Sequence, residues 1–359
     1  MGQIMDKRKK DIIKKILIFG FFVLVMGLTV YAVFSGTDPR EVFAEIARIS
    51  PVYIALMVAS VLGYIGTEGF KIWLLMDRRK GIRRYLKCCG YALIEFFYGG
   101  ITPSASGGQP IQLLYMKKDG YSFTKGCAAM SFNAVTNKFV LAFSGLVIFG
   151  LWHDGLLRLF GSYIIWYYIG WGLLIGWTII LTAFVFNPDI CQKVALKLVG
   201  IPVKLHLLKN RAKADRVVIH FFDAYRGIVT MIKENKPAVI AVFMLSFLQR
   251  FFLLLVTYWV YIGLGLQGRS FAYIMVVQLV VVISSDMIPL PGAQGISEYI
   301  YHKVFLGVFG EAYLTTSMCA SRGVNFYFVL FMGLVVVIAR NFQFKKHHTT
   351  LREEDCAID

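Results

Sequence analysis

Six stretches of this chain, 16–34, 52–76, 126–151, 163–186, 237–262 and 313–339, are apolar almost throughout and bounded by charge, Pro or Gly. A helix needs about 20 apolar residues to cross the hydrocarbon of a bilayer, so each stretch is long enough to span it. Inside lipid every backbone N–H and C=O must be satisfied within the spanning structure. Runs of this length therefore predict an all-α, polytopic membrane protein. Composition agrees: of 359 residues 57% are hydrophobic and 16% charged, against about 25% charged in soluble domains. That excludes a soluble globular protein, and so much apolar surface also excludes intrinsic disorder. Lys7, Arg8, Lys9, Lys10, Lys14 and Lys15 precede the first run as in a signal peptide. The run exceeds the about 7–15 residues of a signal's apolar region, and reads as an uncleaved first span.

Two further apolar stretches, 88–115 and 271–309, are broken near the middle. The breakers are Thr102-Pro103-Ser104-Ala105-Ser106-Gly107-Gly108-Gln109-Pro110 and Pro289-Leu290-Pro291-Gly292-Ala293-Gln294-Gly295. Each predicts a re-entrant helical hairpin. Charge sets the orientation, because 29 of the 38 Lys and Arg lie before residue 16, in 77–87, 117–125 and 187–236, or after 339. By the positive-inside rule both termini are cytoplasmic. The net charge of +17 then belongs to cytoplasmic loops, and no direct nucleic-acid partner is expected. The two hairpins enter from opposite sides. Each half reads breaker, short helix, then a span carrying a cation (Lys138, Arg322), as in inverted-repeat transporters whose broken helices meet near the midplane. The chain divides into a transmembrane unit, 1–345, and a short cytoplasmic tail, 346–359. Within the unit, 187–236 is a basic connector whose helically patterned parts suit either an anionic leaflet or a solvated linker.

Non-helical backbone at membrane depth survives only where protein or a water-filled cavity covers it, so the breakers predict a polar interior. Gly107, Gly108, Gly292 and Gly295 allow bends and a close approach of backbone to ligand. The helices expected to begin near Ile111 and Ile296 aim N–H groups and a positive dipole end at the same region, which favours an anion. Simple kinks are the alternative. Ionisable residues inside spans mark function or pairing, and here they are Glu68, Lys71, Glu95, Lys138, Arg250, Asp286, Glu298 and Arg322. Glu68 and Lys71, three apart on a helix, predict a neutralising pair, with Lys71 alternatively snorkelling to the interface. For Arg250 and Arg322 a lipid phosphate is a bidentate partner, and Asp286 and Glu298 are the rival partners. Glu298 either receives a cationic amino group or a coupling proton, or is tied to Arg322. No HExxH, GxSxG or Walker pattern occurs, and the cysteines and histidines lack ligand spacing. No catalytic residue, metal or cofactor is expected.

At the breakers the sequence resembles the flippase-type transmembrane domain of the lysylphosphatidylglycerol synthase family, the membrane half of the multiple peptide resistance factor. The residues that carry the resemblance are Thr102 to Pro110 running on to Tyr115-Met116-Lys117-Lys118-Asp119-Gly120, then Ile288-Pro289-Leu290-Pro291-Gly292-Ala293-Gln294-Gly295-Ile296-Ser297-Glu298, and Arg322 followed by Gly333. The pattern departs at Ala293, where a second glycine is common, and at Asn137-Lys138, where an acidic-basic pair is expected. The resemblance implies a multi-pass bacterial plasma-membrane protein that translocates an anionic or aminoacylated phospholipid, phosphatidylglycerol or its lysyl ester. It implies a contribution to resistance against cationic antimicrobial peptides. The breakers and buried charges together nominate Pro103, Ser104, Ser106, Gly107, Gly108, Gln109, Lys138, Arg250, Pro291, Gly292, Gly295, Glu298 and Arg322 as the lipid-binding residues. The alternative activity is lysine transfer from lysyl-tRNA to phosphatidylglycerol. The residues after 339 are expected to be too few for that chemistry, since an independent domain needs about 40, so a separate synthase would supply it. A homo-oligomer is compatible with the sequence.

Overall fold

The computed structural model describes residues 38–76, 81–102, 105–204, 211–288 and 295–356. The expected first span at 16–34 lies outside them, as do Pro103, Ser104, Pro291 and Gly292. Every regular element among the described residues is helical: α1 (Pro39–Arg48), α2 (Pro51–Met76), α3 (Ile82–Gly100), α4 (Gly108–Lys118), α5 (Phe123–Phe160), α6 (Ile164–Phe186), α7 (Pro188–Lys204), α8 (Arg211–Glu234), α9 (Lys236–Gly263), α10 (Phe271–Ser285), α11 (Ile296–Arg322), a π-helical segment (Gly323–Phe328) and α12 (Val329–Cys356). The helices α2, α5, α6 and α9 are long and apolar enough to cross a membrane, as is the continuous stretch Ile296–Gln343. This is an all-α, multi-pass architecture.

Helix boundaries follow local chemistry. Asp38 caps α1, accepting from the Arg40 N–H at 2.8 Å, and a proline stands in the first turn, where its missing N–H is not needed. Ser122 caps α5, Asn235 caps α9 and Ser270 caps α10 through side-chain oxygens. The helix α5 continues past the expected 126–151 to Phe160, across a kink at Trp152. Gly310, with φ of 67°, bends α11, so the hairpin arm 296–309 ends where the last span begins.

Contacts fix which helix ends share a face. On one side the Lys125 ammonium meets the Met76 carbonyl at 3.1 Å, and the Tyr115 hydroxyl meets Asn341 at 2.8 Å. Asp119, at the end of α4, is held there by Lys87 at 3.4 Å, by Arg340 and by the Tyr91 hydroxyl. The basic segments cluster here, which makes it the basic face. On the opposite face Thr316 donates to Glu45 at 2.5 Å, and Arg269 donates to the Gly307 carbonyl at 2.8 Å. The hairpin α3–α4 thus has its base on the basic face and α10–α11 has its base on the other. The two are oppositely oriented, as the charge pattern predicts. The order span, hairpin, span occurs twice, and α2 packs along α9, the first span of each set.

The connector is helical over α7 and α8, and it is not a free linker. Tyr225 and Val229 of α8 are buried against Ala128 near the start of α5, with Phe186, Phe221 and Phe222 around them. Arg226 ties α8 to α7 through Asp189 at 2.7 Å.

Candidate functional site

The described residues that flank the two breakers face one another inside the bundle. Between them lies a cavity of about 910 Å³ that touches Ala105, Ser106 and Gly108 from one tip and Ile288, Ser297 and Glu298 from the other. Its remaining walls come from α2, α3, α5, α6, α9, α10, α11, the π-helical segment and α12. Trp177 of α6 lines it and is 45% exposed, so the cavity extends to a helix whose other exposed side chains, Ile165, Ile169, Leu173, Ile179, Ile180 and Phe184, are apolar.

Local geometry explains both tips. Ala105 adopts a left-handed φ of 54°, a conformation that non-glycine residues hold only when surroundings enforce it. The Gly107 N–H donates to Thr102 Oγ1 at 2.9 Å, closing the first tip. A Cβ at Gly108 would lie 2.8 Å from the Glu95 carbonyl, so this glycine serves the close approach of α4 to α3. At the second tip Gly295 has φ of 84°, where glycine carries no steric penalty. Its N–H donates to Glu298 Oε2 at 2.6 Å, and the Ser297 hydroxyl donates to the same oxygen at 2.9 Å. The positive end of α11, expected to face a ligand, is therefore occupied by the protein's own carboxylate.

Three cations and three carboxylates line the cavity: Lys138, Arg250 and Arg322, with Glu95, Asp286 and Glu298. Two ion pairs close among them, Lys138 to Asp286 at 2.6 Å and Arg322 Nε to Glu298 Oε1 at 2.9 Å. Arg322 also donates to the Ser297 hydroxyl. Of the two rival partners proposed for the arginines, Glu298 takes Arg322 and Asp286 takes Lys138. Arg250 makes no ion pair among the described residues, and its Nε is buried without a hydrogen-bond partner there. Glu95 accepts from the Gln112 amide at 3.0 Å, and α4 supplies that amide. Sequence reasoning placed Glu95 and Asp286 among the intramembrane charges and omitted both from the lipid-binding set. The signal that ranks them is three-dimensional, since only the fold brings Asp286 to Lys138 across 148 positions.

Of the nominated residues, Ser106, Gly108, Gln109, Lys138, Arg250, Glu298 and Arg322 line one cavity. Gly107 and Gly295 are not among its lining residues and stand at the N-caps of α4 and α11. Lys71 does not snorkel: it is fully buried and paired with Glu68 at 2.8 Å. Its ammonium also donates to Asn137 and Gln249, each at 2.7 Å, and to Ser246 at 3.3 Å. Glu68 accepts from Asn133 and, at 2.8 Å, from Gln249. Asn137, which stands where an acidic residue was expected, is thus the link between this network and the cavity it also lines.

A family model described as the lysylphosphatidylglycerol synthase TM region matches residues 12–333. No curated protein and no solved structure matches the chain.

Proposed function

Because the chain belongs to the lysylphosphatidylglycerol synthase TM-region family and has the helices of a multi-pass membrane protein, we propose that its membrane lipid-related role is translocation of an anionic phospholipid, phosphatidylglycerol or its aminoacyl ester, between leaflets. The observation that carries this reading is Arg250. Among three cations around the cavity, two are neutralised by neighbouring carboxylates and Arg250 has none among the described residues. An intramembrane guanidinium is costly unless paired, and a phosphate oxygen is a strong, charge-assisted partner for it. The opposite entry of the hairpins suits alternating exposure of a site held between their tips. In a bacterial plasma membrane such transport would present aminoacylated lipid outside and lower the affinity for cationic peptides.

The test is a leaflet-resolved assay of phosphatidylglycerol and its lysyl ester in vesicles holding the purified protein, comparing wild type with Arg250→Gln. Transport by wild type and at least about a tenfold loss in the variant is expected, because a charged hydrogen-bond pair is worth about 1.5–3 kcal/mol. Unchanged transport by a folded variant would reject Arg250 as the phosphate group. The lysyltransferase alternative is separated by supplying charged tRNA and phosphatidylglycerol to the purified chain; lysyl-lipid product would overturn the transport-only reading.

A further inference from the structure

The two helices of the connector treat their apolar sides differently. In α8 that side is covered, with Tyr225 and Val229 buried against Ala128, and its exposed face is mixed, with Arg216, His220, Asp223 and Thr230 interrupting Val217 and Ile219. In α7 the apolar side is uncovered among the described residues. Ile190, Val194 and Leu198 are all exposed, and their spacing of four stacks them in one stripe along the helix. Lys193 and Lys197, also exposed and four apart, run along one flank of that stripe. The carboxylate of α7, Asp189, is engaged by Arg226 of α8 at 2.7 Å, and Gln192 meets the same guanidinium. The outward face of α7 is thus apolar and cationic at once.

The depth of α7 is set by α6. That helix is long and apolar enough to cross a membrane, and Phe184 in its last turn is exposed, as a lipid-facing side chain would be. The Cys191 thiol donates to the Phe184 carbonyl at 2.9 Å, so α7 starts level with the end of the span. This end lies on the basic face, because Phe186 packs in the cluster around Ala128, near the start of α5. A helix with such a stripe and flanking lysines suits the plane of the interface, with apolar side chains at the boundary of headgroups and acyl chains and cations at anionic headgroups. Lysine stems lie along apolar surface while their ammonium groups stay at the headgroups. We infer that α7 is a docking surface for an anionic lipid leaflet on the basic face, with Ile190, Val194 and Leu198 entering it and Lys193 and Lys197 meeting its phosphates. The partner is the surrounding leaflet, chosen by charge, and is separate from any lipid held in the cavity.

The experiment uses the full-length protein in nanodiscs, with a fluorophore attached through Val194→Cys, Leu198→Cys or, as control, Thr230→Cys. Cys191→Ser, which keeps a donor for the Phe184 carbonyl, and replacement of the other accessible cysteines clear the background. The discs hold phosphatidylcholine alone or mixed with phosphatidylserine or phosphatidylglycerol, and quenching by nitroxide-labelled lipid is compared with quenching by aqueous iodide. In both anionic mixtures the lipid nitroxide should reach the probes at Val194 and Leu198, and iodide the probe at Thr230. Lys193→Gln and Lys197→Gln should each lower the docked-to-undocked ratio about fivefold, and phosphatidylcholine alone should lower it in the same sense. Iodide quenching at Val194 as strong as at Thr230 in anionic discs would overturn the docking and leave the stripe solvated. Protection from both quenchers would overturn it in favour of a protein cover, a second copy or another segment of this chain. Docking unchanged by loss of anionic lipid, or supported by phosphatidylglycerol and not by phosphatidylserine, would overturn the charge-selected leaflet as partner. The lipid series decides the matter even where a lysine variant does not fold.

Discussion

A lysine with no exposed surface is tolerated at position 71 because every ammonium proton has an oxygen to meet. Glu68 supplies the charge, and Asn137, Gln249 and Ser246 supply neutral oxygens. Removing one member leaves the other buried and uncompensated, at a cost of about 3–5 kcal/mol. Lys71→Met and Glu68→Gln should therefore each lower the unfolding temperature sharply in a detergent melt, with a large part recovered when both are combined. Additive losses would show that the two side chains do not act as a pair. Glu298 and Arg322 make a second such couple with a different balance. Glu298 also holds the first turn of α11 through Gly295 and Ser297, so its loss removes a helix cap and an ion-pair partner together. Glu298→Gln is expected to be the more damaging single change and Arg322→Gln the milder, read by the same melts. The reverse order would mean that the cap contributes little.

Glycines set how closely the helices approach. A Cβ at Gly170 of α6 would fall 2.6 Å from the Ser284 carbonyl of α10, and one at Gly333 of α12 would fall 2.7 Å from the Leu93 carbonyl of α3. Such backbone contacts are how membrane helices pack when lipid removes the hydrophobic drive between them. Gly108→Ala must push α4 away from α3, so reduced folded yield is expected, at about 1–3 kcal/mol for an overpacked site. Normal yield with altered transport would restore a ligand-facing role for this glycine. The long helices, the two breakers and their opposite sense were legible in the sequence, because apolar length, Pro/Gly clusters and Lys/Arg asymmetry are local signals. The kink at Trp152 and the docking of α8 on α5 were not, since both depend on tertiary contacts. The same limit applies to the cavity. Buried charges could be found at Lys138, Arg250, Glu298 and Arg322, but which carboxylate neutralises which cation depends on how α5, α10 and α11 come together.

At the scale of the whole molecule, each hairpin stands on its own face. Cysteines placed at Gly120 and at Gly268, both in turns at hairpin bases and both with positive φ that a cysteine must strain to adopt, are better moved to the neighbouring Tyr121 and Gln267. An impermeant thiol reagent in a background without other accessible cysteines should reach the two from opposite sides of sealed vesicles. Labelling of both from one side would refute the inverted arrangement. The two bases are also fastened by different chemistry. On the basic face Asp119 is held by Arg340 and by Lys87, whose side chain is 33% exposed, whereas on the other face Arg269 grips the uncharged Gly307 carbonyl. Dissolved ions shorten the reach of exposed charges, from about 10 Å at 0.1 M to about 3 Å at 1 M. The latch on the basic face is thus partly a matter of ionic strength. Concentrated salt in the solution bathing that face should loosen the end of α4 while leaving the far base clasped, giving one side of the protein a sensitivity to its medium that the other lacks.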